Sequence, residues 1–242
     1  MSGEITARLP PPLDAAAVRR FRDAMPDAWR DAPRPDLVDG LAGASPYLRD
    51  LMLADPDFAA EAFVANPESV LDRIIAGLRM VADGTSQTDF MAALRAAKAK
   101  AALLIAIADT GGRWPLAEVT AALTRFADAS LQAAVDWLLR EAHAAGRLVL
   151  ADPSMPSQGC GYTVLAMGKQ GAFELNYSSD VDLIVLYDPD TAPLAPGVEP
   201  STFFVRFTKR LVSLLQDVTE HGYAFRVDLR LRPDPRQARR PA

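Results

Sequence analysis

The stretch ELNYSSDVDLIVLY, residues 174–187, constrains this chain more than any other. Asp182 opens the apolar run Leu183-Ile184-Val185-Leu186-Tyr187, whose branched and aromatic residues read as a short buried strand. A carboxylate entering such a strand is costly unless something pairs with it. Asp180 stands two residues earlier, on the same face of an extended chain with Cα atoms about 7 Å apart, so two carboxylates converge on one place. The fold must bring counter-charge to the mouth of this strand.

The rest of the chain divides by hydrophobic period. Residues 1–44, rich in Pro, Asp and Arg, read as a lead-in with one helix around residues 14–29. Ser45-Pro46 reads as an N-cap followed by Pro at the first helical position, and Asn66-Pro67 repeats the device ahead of Val70, Leu71, Ile74, Ile75 and Leu78. Further helices are expected over residues 88–108, stopping at Gly111-Gly112, and over 115–145, ended by Gly146. The period then changes. Residues 162–167 and 182–187 read as strands, 201–221 as a helix, and 223–232 as a strand with Phe225, Val227, Leu229 and Leu231 on one face and Arg226, Asp228, Arg230 and Arg232 on the other. A helix-rich N-terminal region followed by strands and helices predicts an α+β fold.

Asp228, facing as Asp180 and Asp182 do from a neighbouring strand, makes a third carboxylate. Three carboxylates about 5 Å apart repel by roughly 3 kcal/mol per pair at an effective dielectric of 20, and a divalent cation removes that cost. Hard oxygen ligands without His or Cys favour Mg²⁺ or Mn²⁺ over zinc, and paired metals serve phosphoryl and nucleotidyl transfer. An Asp-x-Asp alone is more often solvated or capping a turn. Here the turn Gly168-Lys169-Gln170-Gly171 precedes it and Ser178-Ser179 adjoins it, and turn amides and hydroxyls of this kind hold phosphate oxygens.

Composition narrows the partners. The 26 basic and 31 acidic residues give a net charge of -5, which argues against a nucleic-acid surface. A single cysteine, Cys160, excludes an intrachain disulfide and a cysteine-built zinc site and fits a reducing compartment, so a cytoplasmic location without targeting signal or membrane segment is expected. Other features read blandly: Gly168-Lys169 lacks the first Gly of a Walker loop, Gly159-Cys160-Gly161 is a turn, His143 and His221 cap or are exposed, and Lys98 and Lys100 lie on a solvated helix face.

The runs AMGKQGAFELNYSSDVDLIVLY and YAFRVDLRLRP, in that order, resemble the nucleotidyltransferase signature of the bacterial glutamine synthetase adenylyltransferase and deadenylase family. The likeness extends from Ser45-Pro46-Tyr47-Leu48 to about Pro233. It implies a DNA polymerase β-like nucleotidyltransferase mixed sheet flanked by helices. The implied parts are a lead-in at 1–44, a helical region at 45–150, a catalytic core at 151–233 and an atypical basic tail at 234–242, as in a chain truncated at its C-terminus. A copy of the domain preceded by a short helical region implies the deadenylase, which removes AMP from a tyrosine of adenylylated glutamine synthetase by phosphorolysis to ADP. Its partner activity attaches AMP from ATP, under control of the PII protein and glutamine. Asp180, Asp182 and Asp228 are then the catalytic, metal-binding carboxylates. Gly168, Lys169, Gly171, Ser178, Ser179, Arg230 and Arg232 lie against the nucleotide phosphates, and Mg²⁺, with Mn²⁺ as substitute, is the cofactor.

Where that family usually has Gly-Gly-Arg, this chain has Gly171-Ala172-Phe173, and a Cβ at 172 is expected to impair binding if the backbone there needs positive φ or close approach to phosphate. With the basic tail, this motivates an alternative in which the chain docks on glutamine synthetase or PII without turnover. Nucleotide addition to RNA shares the implied fold but conflicts with the acidic balance.

Overall fold

The computed structural model describes residues 12–26, 29, 34–81 and 84–229, and among them it is an α+β protein dominated by helix. The elements are α1 (Ala15–Ala24), α2 (Pro35–Ala44), α3 (Pro46–Ala54), α4 (Pro56–Val64), α5 (Pro67–Arg79), α6 (Gln87–Thr110), α7 (Leu116–Ala144), β1 (Tyr162–Ala166), α8 (Gly168–Gly171), β2 (Val181–Tyr187), α9 (Pro200–Gln216) and β3 (Val227–Asp228). They fall into two compact units, one drawn from residues 1–77 and 96–126, the other from 78–95 and 127–242. No helix among the described residues is long and apolar enough to cross a membrane.

Prolines and short polar caps write the helix starts of the first unit. Ser45 Oγ accepts from Leu48 N (3.2 Å), Asp55 Oδ1 from Phe58 N (3.1 Å) and Asn66 Oδ1 from Ser69 N (3.1 Å), each just ahead of a Pro. The sequence reading finds the first and third of these caps and passes over Asp55-Pro56. It also makes α1 too long: the residue before Pro26, Met25, is extended at φ -78°, ψ 149°, as the proline ring requires. Residues 12–44 contribute Phe21, Leu37 and Leu41 to the buried interior, and an Arg22–Asp39 fork with two 2.8 Å bonds ties α1 to α2. The lysines of α6 are less solvated than expected. Lys100 pairs with Asp55 at 3.1 Å and lies 5.0 Å over the Phe58 ring, while burial pushes the Lys98 ammonium down to about 8.

In the second unit Phe90 of α6 stacks on Trp137 of α7 at 5.2 Å, and Gly146 at φ 67° ends the α7 turn as read from the sequence. The sheet is mixed, in the order β1-β2-β3. β1 and β2 are antiparallel, from Tyr162 opposite Tyr187 to Ala166 opposite Leu183, whereas β2 and β3 are parallel, among the described residues through two pairs, Val181 with Val227 and Asp182 with Asp228. Alternation then sorts the faces. Tyr162 and Tyr187 turn to α9, their rings 5.6 and 4.7 Å from that of Phe204, and Tyr162 Oη lies 3.0 Å from Thr208 Oγ1. Thr163, Leu165, Ile184 and Leu186 stand on the opposite face with Asp182.

The segment from α9 to β3 departs from the sequence reading. α9 begins at its Glu199 cap, whose carboxylate accepts from Ser201 N (3.1 Å) and Thr202 N (2.6 Å) and is held down to about 2 by those bonds. It ends at Gln216 instead of 221, because the buried guanidinium of Arg95 takes the carbonyls that a further turn would use. Arg95 donates to Leu214 O (3.1 Å), Asp217 O (2.5 Å), Gly222 O (2.8 Å) and Met91 O (3.1 Å), placing its charge at the negative end of α9. Ala224 N and Phe225 N then bond back to Leu215 O at 2.9 and 3.0 Å. Residues 223–226 are thus occupied by the return turn, and the strand expected over 223–232 is two residues long among the described residues.

Phe204, 2% exposed between two tyrosine rings, fixes the sheet on α9. Phe204→Ala should lower stability in urea denaturation by about 3–5 kcal/mol. The adjacent Val205→Ala, at a position 52% exposed, should stay within about 0.5 kcal/mol.

Candidate active site

The turn that leaves β1 determines the geometry. Met167 N donates to Asp182 O at 2.8 Å, so the backbone is still laddered to β2 where it must turn. Gly168 makes the turn at φ 55°, and a Cβ built there would meet Asp182 Oδ2 at 2.5 Å. The carboxylate of Asp182 therefore lies directly on the glycine, a position that no other residue type leaves open. Gly171 answers to a second close approach, its would-be Cβ 2.5 Å from Ala166 O. Ala172, suspected from sequence of needing positive φ, is right-handed at φ -87°, ψ 0°, and its Cβ adds no backbone strain. The left-handed residue is the next one, the exposed Phe173 at φ 59°.

Asp228 is the register partner of Asp182 across the parallel β2–β3 bridge, with Cα atoms about 4.8 Å apart. Directly paired residues share a face, so both carboxylates rise on the side of the sheet away from α9. Two carboxylates about 5 Å apart in a medium of effective dielectric 20 repel by roughly 3 kcal/mol, a cost that positive charge offsets. Asp180 joins them differently. Its carboxylate is ion-paired with Arg226, whose Nε donates to Oδ1, and among the described residues no three Asp, Glu, His or Cys side chains are arranged to hold a metal ion. Asp182 and Asp228 are paired in register, while Asp180, two residues before Asp182, is ion-paired with Arg226.

The serines are set by a residue the sequence reading does not single out. Asn176 Oδ1 accepts from Ser178 N (3.3 Å) and from the Ser179 hydroxyl (2.7 Å), and Asn176 O accepts from Ser179 N (3.3 Å). This Asx-type turn was available as a signal in Asn176-Tyr177-Ser178-Ser179. Ser178 is exposed and Ser179 half-buried, while Lys169 is exposed on the glycine turn. Arg230 and Arg232 lie outside the described residues. A second unforeseen residue is Gln170 of α8, 1% exposed. Its Nε2 donates to Asp128 Oδ1 of α7 at 2.7 Å, and its Oε1 is buried without a hydrogen-bond partner among the described residues. Gln170 roots the glycine turn in the helical layer. Cys160 is buried, its thiol 3.4 Å from Tyr162 O and pushed up by burial, which suits a packing role.

The donor set suits a hard divalent ion: two aspartates on one face, a third two residues away, no competing nitrogen or sulfur ligand, and a glycine whose missing Cβ leaves room for the Asp182 carboxylate.

Gly168→Ala gives a direct check of that contact, with Gly197→Ala, at φ 83° in open space, for comparison. Gly197→Ala should cost about 1–2 kcal/mol for the left-handed backbone alone. Gly168→Ala should lose that and about 0.5–1.5 kcal/mol more for turning Asp182 from its rotamer, read as the difference between the two urea transitions.

Residues 36–239 match the family model described as glutamate-ammonia ligase adenylyltransferase. Among curated relatives, a protein of Bradyrhizobium sp. (strain ORS 278) is 48% identical over 224 residues, 92% of this chain and 22% of that protein. One of Bradyrhizobium diazoefficiens is 50% identical over 201 residues, 83% of this chain and 20% of its own length. One of Xanthobacter autotrophicus is 50% identical over 196 residues, 81% and 20%. Each is named a bifunctional glutamine synthetase adenylyltransferase/adenylyl-removing enzyme. The chain spans 20–22% of the length of these relatives.

Proposed function

The chain belongs to the glutamate-ammonia ligase adenylyltransferase family, and from that premise we propose that it carries the site that removes AMP from adenylylated glutamine synthetase. The observation that supports this reading is the placement of Asp182 on Gly168 and beside Asp228. A phosphodiester brings negative charge and needs close backbone approach, and this corner of the sheet offers both a cation-attracting carboxylate pair and a glycine surface.

Asp182 and Asp228 would hold Mg²⁺ or Mn²⁺, with Asp180 as the third ligand. When bound, the ion supplies Lewis acidity toward the phosphodiester and offsets charge as the bond to the tyrosine breaks. The chain's own groups do the rest. The Gly168–Gly171 turn admits the phosphate oxygens, Lys169 adds a mobile positive charge, and the Asn176-organised turn presents Ser178 and Ser179 to them. Arg230 and Arg232 complete the proposed phosphate ligands. An oxygen of inorganic phosphate attacks the phosphorus of the AMP group, the bond to the tyrosine oxygen breaks, and that oxygen takes up a proton. The products are ADP and unmodified tyrosine. Regulation by PII, cytoplasmic residence and ATP as the nucleotide of the reverse modification belong to the same proposal.

Ala172 is right-handed, so its Cβ adds no backbone strain to the turn, which favours turnover over a purely docking role. The reading is tested by ADP release from adenylylated glutamine synthetase in the presence of phosphate and Mg²⁺. The chain should release ADP, and Asp182→Asn should lower the rate by ~10²- to 10³-fold, the scale of losing one charge-stabilising group. Binding of glutamine synthetase without ADP release, or equal release by the variant, would contradict it.

A further inference from the structure

Arg226 plays no part in the chemistry above, yet its guanidinium makes three hydrogen bonds at the site. Its Nε donates to Asp180 Oδ1, its Nη2 to Ser178 O at 2.7 Å and its Nη1 to Tyr223 Oη at 3.2 Å, while its own carbonyl accepts from Val181 N at 2.9 Å. One residue therefore ties the turn before β2 to the segment entering β3. The hydrogen bond to the Asp180 carboxylate in turn raises the pKa of the guanidinium, so Arg226 stays charged.

A carboxylate can serve this fork or a metal ion, and the fork's grip is of the exchangeable kind. The Arg226 and Asp180 side chains are 50% and 46% exposed, and an ion pair so open to water is weak. A divalent ion beside Asp182 and Asp228 brings twice the charge to a smaller volume. The two bonds Arg226 makes to Ser178 O and Tyr223 Oη do not depend on Asp180 and can keep the arginine near the site after exchange.

We propose that Arg226 is an exchangeable counter-cation: it holds Asp180 while the site is without metal and gives the carboxylate up when a divalent ion binds. This rests on the reading of Asp180, Asp182 and Asp228 as metal-holding residues. The device keeps Asp180 fixed and its charge compensated, and it makes metal affinity depend on a residue that never touches the metal.

The test is Mn²⁺ binding to the folded chain, followed by the electron paramagnetic resonance signal of free Mn²⁺, for the wild type and the variants Asp182→Asn, Arg226→Met and Arg226→Lys. With the competitor gone, Arg226→Met should bind Mn²⁺ about two- to five-fold more tightly than wild type. Arg226→Lys, which keeps the charge but cannot reach three acceptors at once, should also bind more tightly, by less. On the wild type, the ¹⁵N resonance of the Arg226 Nε–H group should lose its protection from solvent exchange as Mg²⁺ saturates the site. Wild-type binding that Asp182→Asn abolishes, with Arg226→Met equal to or weaker than wild type, would overturn the exchange and leave the metal site standing. So would tightening in Arg226→Met with none in Arg226→Lys, which would be a simple field effect, or an Arg226 signal indifferent to Mg²⁺. Absence of Mn²⁺ binding in the wild type, or binding indifferent to Asp182→Asn, would overturn the metal site and the exchange together.

Discussion

Among the described residues, two backbone pairs, Val181 with Val227 and Asp182 with Asp228, make up the parallel ladder that sets Asp182 and Asp228 side by side. A two-residue parallel bridge has almost no stability of its own, because parallel pairing needs a long crossover and returns few hydrogen bonds here. The structure around it compensates at each end. Arg95 gathers the last carbonyls of α9 and the turn that follows, a Gln216 side-chain oxygen accepts from Val227 N at 3.2 Å, and Arg226 closes the gap to the strand opposite. Side chains bonded to backbone thus help to fix the position of Asp228.

This explains which parts of the molecule could be read in advance. Helices written by caps and breakers were legible: Ser45-Pro46, Asn66-Pro67, Gly111-Gly112 and Gly146 mark ends that lie within a residue or two of those observed. Strands β1 and β2 were legible because their period is short and their flanks are turns. The end of α9 was not. Its apolar period continues past Gln216, and what stops it is a buried arginine more than a hundred residues away in sequence, which carries no local signal. The start of β3 is set by the same return, since the alternation from Tyr223 onward is real but Ala224 N and Phe225 N donate to Leu215 O of α9.

For the site, residue type and parity were enough to propose Asp182 and Asp228 on one face, and the register pairs them. Sequence could not show that Gly168 lies against Asp182, that Asn176 shapes the serine turn, or that Gln170 anchors the glycine turn through Asp128. Each is a contact between segments whose spacing holds no period. The sequence-based concern over Ala172 placed the left-handed residue one position too early, at 172 instead of Phe173. Asp180 is the instructive case. Its type and spacing make it equivalent to Asp182, and only the fold shows that its counter-charge is already supplied by Arg226.

The cation site proposed for Asp182 and Asp228 over the Gly168 turn is tested by anomalous scattering from crystals of this chain soaked in Mn²⁺. A peak is expected within about 2.0–2.6 Å of a carboxylate oxygen from each of the two residues. A peak bound by only one of them, or peaks confined to other acidic groups, would contradict it.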